Sequence, residues 1–358
     1  MPRLPLHDLH ARLGARWEEQ EGWEIPCAYS GWKEEYAAIQ GSAGLSDLSF
    51  LSKIFFIGPD RRRFLNGLLT NDVAGLKPLA GLPACLLTPK GKLRADLLLY
   101  DLGSELLALA RPSAAANLAR DLSRIILLSQ TTMEDSSRGF CLFYLAGPKA
   151  LLVEKSVFGR LEAPRPYEVR AGEWQGSRVW LLSEPRLRPE GCLVLCPVKA
   201  GQALWQALTE GGRPLGLKPA GSQAFNALRL ERGLPLFGVD MDQDTIPLEA
   251  GLEEAISFTK GCYLGQETIA RVKNLGHINR ILAGLRVSGE APPAPGTRVF
   301  HAEKEIGRVT SAAYSPRLGA VVVLAMIRVS ESQPGTKLEL EEGGCRRTAE
   351  VVEFFPGT

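Results

Sequence analysis

A pattern that occurs twice in the chain constrains its fold more than any other feature. An apolar, strand-like run at residues 54–57 is followed by a Gly-Pro dipeptide at 58–59 and then by an amphipathic segment. Residues 142–145 are followed in the same way by Gly-Pro at 147–148 and a second amphipathic segment. Proline is favoured at a helix start, because an N–H there would have no partner inside the helix. The pattern therefore predicts two copies of one strand-to-helix unit.

Each copy then continues into a β-hairpin and a further helix. The predicted strand pairs are residues 93–100 with 106–110 and residues 179–182 with 193–196. A helix is expected from Pro112 in the first copy and from Pro197 in the second. Strand, helix, two strands and helix, found twice, indicate two α+β sandwich subdomains related by duplication.

Beyond Arg280 the pattern changes to short alternating strands separated by Gly and Pro. These strands are predicted at residues 281–287, 298–301, 306–312, 320–326, 337–341 and 346–354. Six short strands with turn residues between them are typical of a small antiparallel barrel. We therefore predict two domains: residues 1–279, formed by two interleaved subdomains, and residues 280–358, which form the barrel.

Composition excludes several classes of partner. The 358 residues carry 42 Lys+Arg against 40 Asp+Glu, a net charge of +2, which is too balanced for binding nucleic acid through bulk charge. The longest apolar run, residues 320–327, is far too short to span a membrane. The N-terminus lacks the continuous apolar core of a secretory signal. We expect neither nucleic-acid binding nor a membrane location.

The number and spacing of the cysteines and histidines limit the redox and metal chemistry that we expect. Seven cysteines are scattered along the chain without a C-x-x-C pair, and the four histidines show no metal-ligand spacing. An odd, dispersed set of cysteines is typical of reduced thiols in the cytoplasm. We therefore expect a cytoplasmic protein without a metal site of its own.

The segment 260–267, which reads KGCYLGQE, has an unusual arrangement of side chains. Cys262 lies two residues after Lys260, and the residues from Gln266 onward have helical character. The free N–H groups and positive dipole end of a helix start favour an anion, and so does a nearby cation. Both favour the thiolate that nucleophiles, redox groups and metal ligands require. In the alternative interpretation, Gly261 makes a tight turn and Cys262 is a small buried apolar residue.

The same segment resembles the signature of the YgfZ-type folate-binding proteins, which are relatives of the glycine-cleavage T-protein. The motif positions are Lys260, Gly261, Cys262, Tyr263, Gly265, Gln266 and Glu267. Further stretches resemble the family at residues 44–48, 64–73, 87–92, 230–235, 238–240, 246–250, 271–276 and 279–280. The resemblance therefore covers residues 40–290.

This resemblance implies a fold and a function. The fold is a three-lobed ring of two α+β subdomains and a small barrel around tetrahydrofolate or a one-carbon derivative. The function is support of the assembly or repair of iron–sulfur enzymes, including tRNA-modifying ones, with iron–sulfur proteins or their assembly factors as partners. Cys262 is then the expected essential group, with Lys260 beside it. Because a cluster needs about four ligands, Cys262 would act with other ligands or as a redox sulfur.

Folate recognition requires definite chemical groups. Pterin N–H donors pair with a carboxylate, the anionic tail pairs with a cation, and one-carbon transfer needs an acid or base near the ring nitrogens. The resemblance places Asp96 in the segment where the T-protein carries a catalytic aspartate, and it leaves Arg229, Glu231 and Glu249 as candidate folate-binding residues. In the alternative interpretation, Asp96 is paired with neighbouring basic residues and the other three form buried ion pairs.

The chain departs from the T-protein pattern at three places. Ala95 replaces the first aspartate of an Asp-Asp-Leu sequence, PRLRPEG at residues 185–191 replaces a pterin-binding motif, and Phe225 replaces an arginine. These departures favour the iron–sulfur accessory function over the alternative, a folate-dependent aminomethyltransferase that takes its group from a lipoyl carrier. A third possibility, a cysteine-nucleophile enzyme, needs a histidine base, and only His277 lies close in sequence.

Overall fold

The computed structural model describes residues 1–159, 162–187, 191–276 and 278–353. They form two compact units. Unit 1 takes the described residues of Met1–Asn66, Asn71–Ala84 and Asp96–Phe225. Unit 2 takes those of Gly67–Thr70, Cys85–Ala95 and Asn226–Thr358. The predicted division into domains 1–279 and 280–358 stays a prediction.

Helices account for the longer connections of the chain. The α-helices of the described residues are α1 His7–Arg12, α2 Trp32–Gly41, α3 Arg61–Asn66, α4 Pro112–Ile125, α5 Ala150–Phe158, α6 Val198–Gly212, α7 Ser222–Glu231 and α8 Gln266–Leu275. Short 3-10 helices occupy Ile126–Leu128, Arg213–Leu215, Pro247–Ala250, Glu253–Ala255 and Val329–Glu331. Among the described residues, no helix is both long and apolar enough to cross a membrane.

Strands build the rest of the framework. Those of the first half are β1 Arg16–Gln20, β2 Trp23–Ala28, β3 Ala43–Asp47, β4 Ser52–Ile57, β5 Gly81–Leu87, β6 Leu93–Asp101, β7 Glu105–Ala110, β8 Thr132–Asp135, β9 Phe140–Ala146 and β10 Val169–Trp174. Those of the second half are β11 Ser177–Ser183, β12 Gly191–Pro197, β13 Leu217–Pro219, β14 Arg280–Val287, β15 Arg298–His301, β16 Lys304–Ser315, β17 Ala320–Arg328, β18 Lys337–Glu342 and β19 Cys345–Val352.

A six-stranded sheet with the order β10-β11-β12-β9-β3-β13 forms one half of unit 1. Helix α6 covers its core face because Leu204, Trp205 and Leu208 recur at helical spacing and are fully buried. The ring of Trp205 meets that of Phe143 on β9 edge to face at 5.1 Å. Val153 of α5 joins the same cluster. This sheet and its two helices are the second copy of the duplicated unit.

A five-stranded sheet with the order β5-β6-β7-β4-β8 contains the first copy. Helix α3 follows β4, as α5 follows β9 in the second copy. The end of β5, the start of β6 and the turn between them, Cys85–Ala95, belong to unit 2. The predicted hairpin of residues 93–100 and 106–110 is present as β6 and β7.

The duplication is visible in the two strand-to-helix turns. Gly58 and Gly147 have φ angles of +117° and +123°, and each turn leads into a helix three residues later. A Cβ on Gly58 would lie 2.1 Å from the carbonyl oxygen of Gln130, and one on Gly147 would lie 2.6 Å from that of Ser42. Both the backbone angle and the close approach require glycine, so the two turns are equivalent in conformation as well as in sequence.

The C-terminal strands of unit 2 close into a barrel with the order β14-β17-β16-β15-β18-β19. Alternation along β17 divides its side chains between two faces. Val321, Val323 and Ala325 fill the barrel core, whereas Val322 and Leu324 pack outside it in a cluster with Leu230 and Leu282. The prediction of two α+β subdomains followed by a six-stranded antiparallel barrel is confirmed.

Candidate functional site

Asp96 lies on β6 in unit 1 and carries an unsatisfied carboxyl oxygen. Its neighbours Ala95 and Leu97 point into the core on the opposite face of the strand. The Oδ1 atom of Asp96 is buried, and within the described part of the chain it has no hydrogen-bond partner. Buried polar atoms are nearly always paired in folded proteins. An exception at this position fits an oxygen that is reserved for a ligand.

Two opposing effects act on the Asp96 carboxyl. Burial raises its pKa above the ordinary value, because an apolar environment disfavours the charged form. The guanidinium groups of Arg186 and Arg111 oppose this effect, and the carboxylate of Glu21 adds a smaller increase. Burial outweighs the two arginines, so the pKa of Asp96 lies above its ordinary value.

Glu184, which the sequence analysis did not single out, lies directly after β11. It is buried, and its two carboxylate oxygens accept from Arg186 Nε at 2.9 Å and from a terminal guanidinium nitrogen at 2.8 Å. A glutamate at the end of an apolar strand, followed by proline, was the available signal. In the segment 185–191, which replaces the pterin-binding motif, residues 188–190 lie outside the described residues.

The KGC segment of unit 2 leads into α8. Residues 261–263 have no regular secondary structure, and Gly265 immediately precedes the helix. Gln266 forms hydrogen bonds with both backbone groups of Tyr263, accepting from its N–H at 3.4 Å and donating to its carbonyl at 3.3 Å. The predicted helix start is present. Glu267 lies in the first turn and is exposed, as the helix dipole favours.

Lys260 is engaged with groups of its own unit. Its ammonium donates to the carbonyl oxygen of Leu69 at 2.8 Å and lies 5.2 Å from the centre of the Tyr263 ring. Burial raises the pKa of Tyr263 to about 12, with a smaller contribution from Cys85, so the phenol stays neutral. The Lys260 ammonium is therefore bound by the carbonyl oxygen of Leu69 and lies against the ring of Tyr263.

Thr70 fixes the segment that precedes the motif. Its hydroxyl donates to the carbonyl of Ala255 at 2.6 Å and accepts from the N–H of Cys85 at 2.9 Å. Its own carbonyl accepts from the N–H of Ser257 at 3.0 Å. One buried threonine thus ties the chain before Lys260 to a strand that is distant in sequence.

Arg229 forms part of a buried ion pair in unit 2. One of its nitrogens donates to Asp240 Oδ2 at 2.8 Å, and another donates to the hydroxyl of Ser311 at 2.8 Å. Asp240 also accepts from the N–H of Leu236 at 2.9 Å and from the hydroxyl of Thr310 at 2.7 Å. Because both members of this buried pair have several hydrogen-bond partners, Arg229 and Asp240 have fixed positions in the fold.

Glu231 and Glu249 are engaged in the same way. Glu231 accepts from the hydroxyl of Ser315 and pairs with Arg317 at 3.2 Å. Glu249 accepts from the N–H of Ile246 at 2.9 Å and pairs with Arg280 at 3.3 Å. The three predicted folate residues of unit 2 therefore have internal partners, whereas Asp96 in unit 1 has a free oxygen. Their folate contacts stay a prediction.

The cysteines are free thiols. Those buried in the fold are Cys27, Cys85, Cys141, Cys192 and Cys196, and those exposed are Cys262 and Cys345. The exposure of Cys262 rules out the interpretation of a buried apolar residue. In the ranges that the structure describes, no three His, Cys, Asp or Glu side chains are grouped to hold a metal ion. His277, the base considered for a cysteine nucleophile, lies outside these ranges.

Two family models match the sequence. The GCVT N-terminal domain matches residues 6–260, and the glycine cleavage T-protein C-terminal barrel domain matches residues 280–355. The first model alone covers more than half of the chain. The chain therefore belongs to the glycine-cleavage T-protein (GCVT) family.

Individual relatives are similar over the full length. The chain is 33% identical to the aminomethyltransferase of Shouchella clausii, over 98% of this chain and 96% of the relative. It is 32% identical to that of Halothermothrix orenii, over 99% of both. The crystal structure of glycine cleavage system aminomethyltransferase T from Bartonella henselae matches with a TM-score of 0.89 at 25% identity, covering 99% of this chain and 98% of that one. The predicted T-protein-like fold class is confirmed.

The predicted iron–sulfur function is wrong. The full-length relatives are named aminomethyltransferase, and none of the similarities reported above points to iron–sulfur proteins, their assembly factors or tRNA modification. The short motif around Cys262 indicated a narrower family than the similarity distributed over the whole chain does. The YgfZ-type assignment is replaced by the broader assignment to the GCVT family.

The predicted cofactor agrees with the family, which uses tetrahydrofolate. The free, buried oxygen of Asp96 fits the N–H donors that such a molecule presents. Its partly buried environment also fits a ring with both apolar faces and polar edges. On these grounds, the residues present in unit 1 are compatible with the cofactor.

Proposed function

We propose that this chain is a tetrahydrofolate-dependent aminomethyltransferase of the T-protein type. The observation that carries the proposal is similarity over the whole length to proteins of that name, in sequence and in fold. For this chain the donor, an aminomethyl group on a lipoyl carrier, is part of the proposal.

Asp96 is the proposed acid–base group. Tetrahydrofolate, when bound, supplies the ring nitrogens that take up the one-carbon group. Asp96 would hold the ring by accepting a hydrogen bond from a ring N–H through its free oxygen, and its carboxylate would serve as the base for that proton. Its raised pKa, caused by burial, brings the carboxyl closer to the pH at which it can exchange a proton.

Two departures from the T-protein pattern are accommodated by local contacts. Phe225, at the position of a T-protein arginine, meets the ring of Tyr144 edge to face at 5.8 Å. Arg186, in the segment that replaces the pterin motif, forms an ion pair with Glu184, which lies just before that segment. Both replacements fill their positions with well-packed partners, which supports a modified site in unit 1.

The remaining predicted residues stay proposals of smaller weight. Arg229, Glu231 and Glu249 would have to give up internal partners to contact the cofactor directly, so we assign them to holding unit 2 together. Cys262 is accessible, and its chemical role is tested below. The expectation of a cytoplasmic location also stays a prediction.

Replacing Asp96 with asparagine tests the proposed function directly. We expect the Asp96→Asn variant to lose about 10²–10⁴-fold in kcat/KM, the usual contribution of a positioned acid or base. The assay follows methylenetetrahydrofolate formation from an aminomethylated lipoyl carrier, and isothermal titration calorimetry follows tetrahydrofolate binding.

A surface aspartate on the same unit provides the matched control. Asp121 of α4 pairs with Arg120 at 3.6 Å, so Asp121→Asn removes one charge without touching the proposed site. It should retain the parent's turnover. The proposal is overturned if the parent binds no tetrahydrofolate, or if Asp96→Asn retains full turnover.

A further inference from the structure

Two leucines at the end of α4 in unit 1 are unusually exposed. Helix α4 ends at Ile125, and the 3-10 helix Ile126–Leu128 follows it directly. Leu127 is 81% exposed and Leu128 is 87% exposed, more than any other large apolar side chain in the described ranges. Ile125 beside them is 41% exposed. Residues 125–128 therefore form an apolar tip in contact with solvent.

The exposure of two consecutive leucines shows that the apolar tip is convex. Side chains at neighbouring helical positions differ in direction by about 100–120°, so a flat face or a groove would cover one of the two. Leu127 and Leu128 are both almost fully solvated, so the turn that carries them projects from unit 1. Four side chains on a convex turn cannot supply the roughly 800 Å² per partner of a stable protein interface. They can enter a lipid layer, which closes around inserted side chains.

Contacts on both sides hold the apolar tip in place. Before it, Leu122 of α4 is fully buried. After it, the N–H and the hydroxyl of Ser129 both donate to the carbonyl of Ile126 at 3.0 Å. The N–H of Gln130 donates to Asp60 Oδ2 at 3.1 Å. The exposed leucines are therefore part of an ordered turn of the fold.

Arginines lie beside the apolar tip. Arg120 and Arg124 are four positions apart on α4, and both are exposed. Arg61 and the exposed Arg63 belong to α3, and the turn that precedes α3 lies against the carbonyl of Gln130, just after the tip. Cationic side chains thus flank the apolar ones from two helices.

The carboxylates of this region are already bound or lie further away. Asp121 pairs with Arg120 at 3.6 Å, and Asp60 accepts the hydrogen bond described above. Glu134 and Asp135 are at the far end of β8, the strand that follows the tip. This strand is four residues long and is at the end of its sheet. A short, charged edge strand opposes pairing with a second copy of the chain.

We propose that the apolar tip inserts into the surface of an anionic lipid membrane, with the neighbouring arginines at the level of the lipid phosphates. Charge complementarity favours this partner, because arginine binds phosphate groups and the adjacent leucines can enter the acyl boundary. Contact of this kind needs neither a spanning segment nor a secretory signal, the two features whose absence argued against a membrane location. The contact is independent of the proposed transferase function and places the chain at a membrane surface.

Sedimentation with lipid vesicles tests the proposal on the full-length chain. We expect the parent to bind vesicles of equal parts phosphatidylglycerol and phosphatidylcholine, and to bind them less tightly as the salt concentration rises. Binding to vesicles of phosphatidylcholine alone should be at least about fivefold weaker. Equal binding to both kinds of vesicle, or no binding to the anionic ones, overturns the proposal.

Variants of the tip test which side chains make the contact. Replacing both leucines, Leu127→Ser with Leu128→Ser, should weaken binding to the anionic vesicles at least about tenfold. Arg124→Gln should weaken it roughly fivefold. Leu152→Ser, at an exposed position of α5 in the other copy of the duplicated unit, is the matched control and should bind like the parent. Because both tip leucines are exposed, the double variant should keep the parent's Tm. Unchanged vesicle binding by the double variant overturns the proposal.

Insertion itself can be followed with Leu128→Trp. After subtraction of the parent's spectrum, the added tryptophan emission should shift to shorter wavelength when anionic vesicles are present, and an unshifted emission overturns the proposal. Sedimentation velocity without lipid examines the competing partner, a second copy of the chain. If the parent self-associates, ignores vesicles and loses its self-association in the double leucine variant, the tip is a protein interface and the membrane proposal is overturned.

Discussion

Two aspartates, Asp240 in unit 2 and Asp96 in unit 1, differ in how completely their carboxylate oxygens are bound. In unit 2, Asp240 accepts hydrogen bonds from a guanidinium, a backbone N–H and a hydroxyl, and it has little exposed surface. In unit 1, Asp96 has an oxygen that is equally inaccessible to water and has no partner in the described residues. The carboxylate of Asp240 thus has its hydrogen-bond partners within the fold, whereas the carboxylate of Asp96 lacks one.

The difference teaches which buried charges stabilise the fold. A buried carboxylate with all its partners offsets the cost of removing it from water, whereas one with a free oxygen leaves part of that cost uncompensated. Such an unpaired oxygen is expected where a ligand supplies the missing hydrogen-bond donor. Removing the cation that pairs with Asp240 should therefore weaken the fold, whereas removing the charge of Asp96 should leave it intact or stronger.

The largest effect is expected at Arg229. Replacing it with methionine leaves Asp240 buried without its cation, a change that typically costs about 3–5 kcal/mol. Urea unfolding measures the loss. Arg317→Met is the matched control, because Arg317 also pairs with a buried carboxylate but its side chain is 39% exposed. The control should lose about 1 kcal/mol at most, and equal losses in the two variants would contradict the comparison.

An effect of opposite sign is expected at Asp96. Burial raises the folded-state pKa of this carboxyl above its ordinary value, so its contribution to stability is lost as pH rises through that folded pKa. Asparagine cannot ionise, so Asp96→Asn should be more stable than the parent at neutral pH, by about 1 kcal/mol. The advantage should shrink as pH falls through the folded pKa. Thermal unfolding across this pH range checks it, and a loss of stability at neutral pH would show that Asp96 is internally paired.

The smallest effect on stability is expected at Cys262. Its side chain is exposed, so Cys262→Ala should change the free energy of unfolding by no more than about 0.5 kcal/mol. The turnover of the same variant shows whether the Cys262 thiol takes part in the reaction. Loss of transferase activity in a fully stable variant would give the thiol a chemical role, and unchanged activity would limit the motif to holding the start of α8. Cys345→Ala, the other exposed cysteine, is the control.

Local patterns predicted the architecture well. The Gly-Pro turns, the hairpin of β6 and β7 and the strands of the barrel follow from periodicity and turn residues, which act over a few positions. Strand boundaries were less accurate. Strand β16 extends over Lys304–Ser315 although residues 306–312 were predicted, because pairing with β17 continues past the alternating run.

The partners of buried charges could not be predicted from the sequence. Arg229 finds Asp240 eleven positions away and Ser311 eighty-two positions away, and only the folded chain brings these groups together. Glu184 could not be predicted because it lies just before residues 185–191, where the pterin-binding motif was expected. The function was misjudged for a related reason, since one distinctive octapeptide is visible in a single sequence and similarity spread over the whole length is not.

Unit 2 is formed by chain segments that lie far apart in the sequence, so it cannot complete its fold until the last of them has been synthesised. Its residues Gly67–Thr70 and Cys85–Ala95 leave the ribosome long before Asn226, with most of unit 1 synthesised between them. At roughly 5–20 residues per second, the hydroxyl of Thr70 waits on the order of ten seconds for the carbonyl of Ala255. During that interval two short segments are without their final neighbours. A fragment that begins at Asn226 would lack them permanently, so unit 2 cannot be obtained by cutting the chain once.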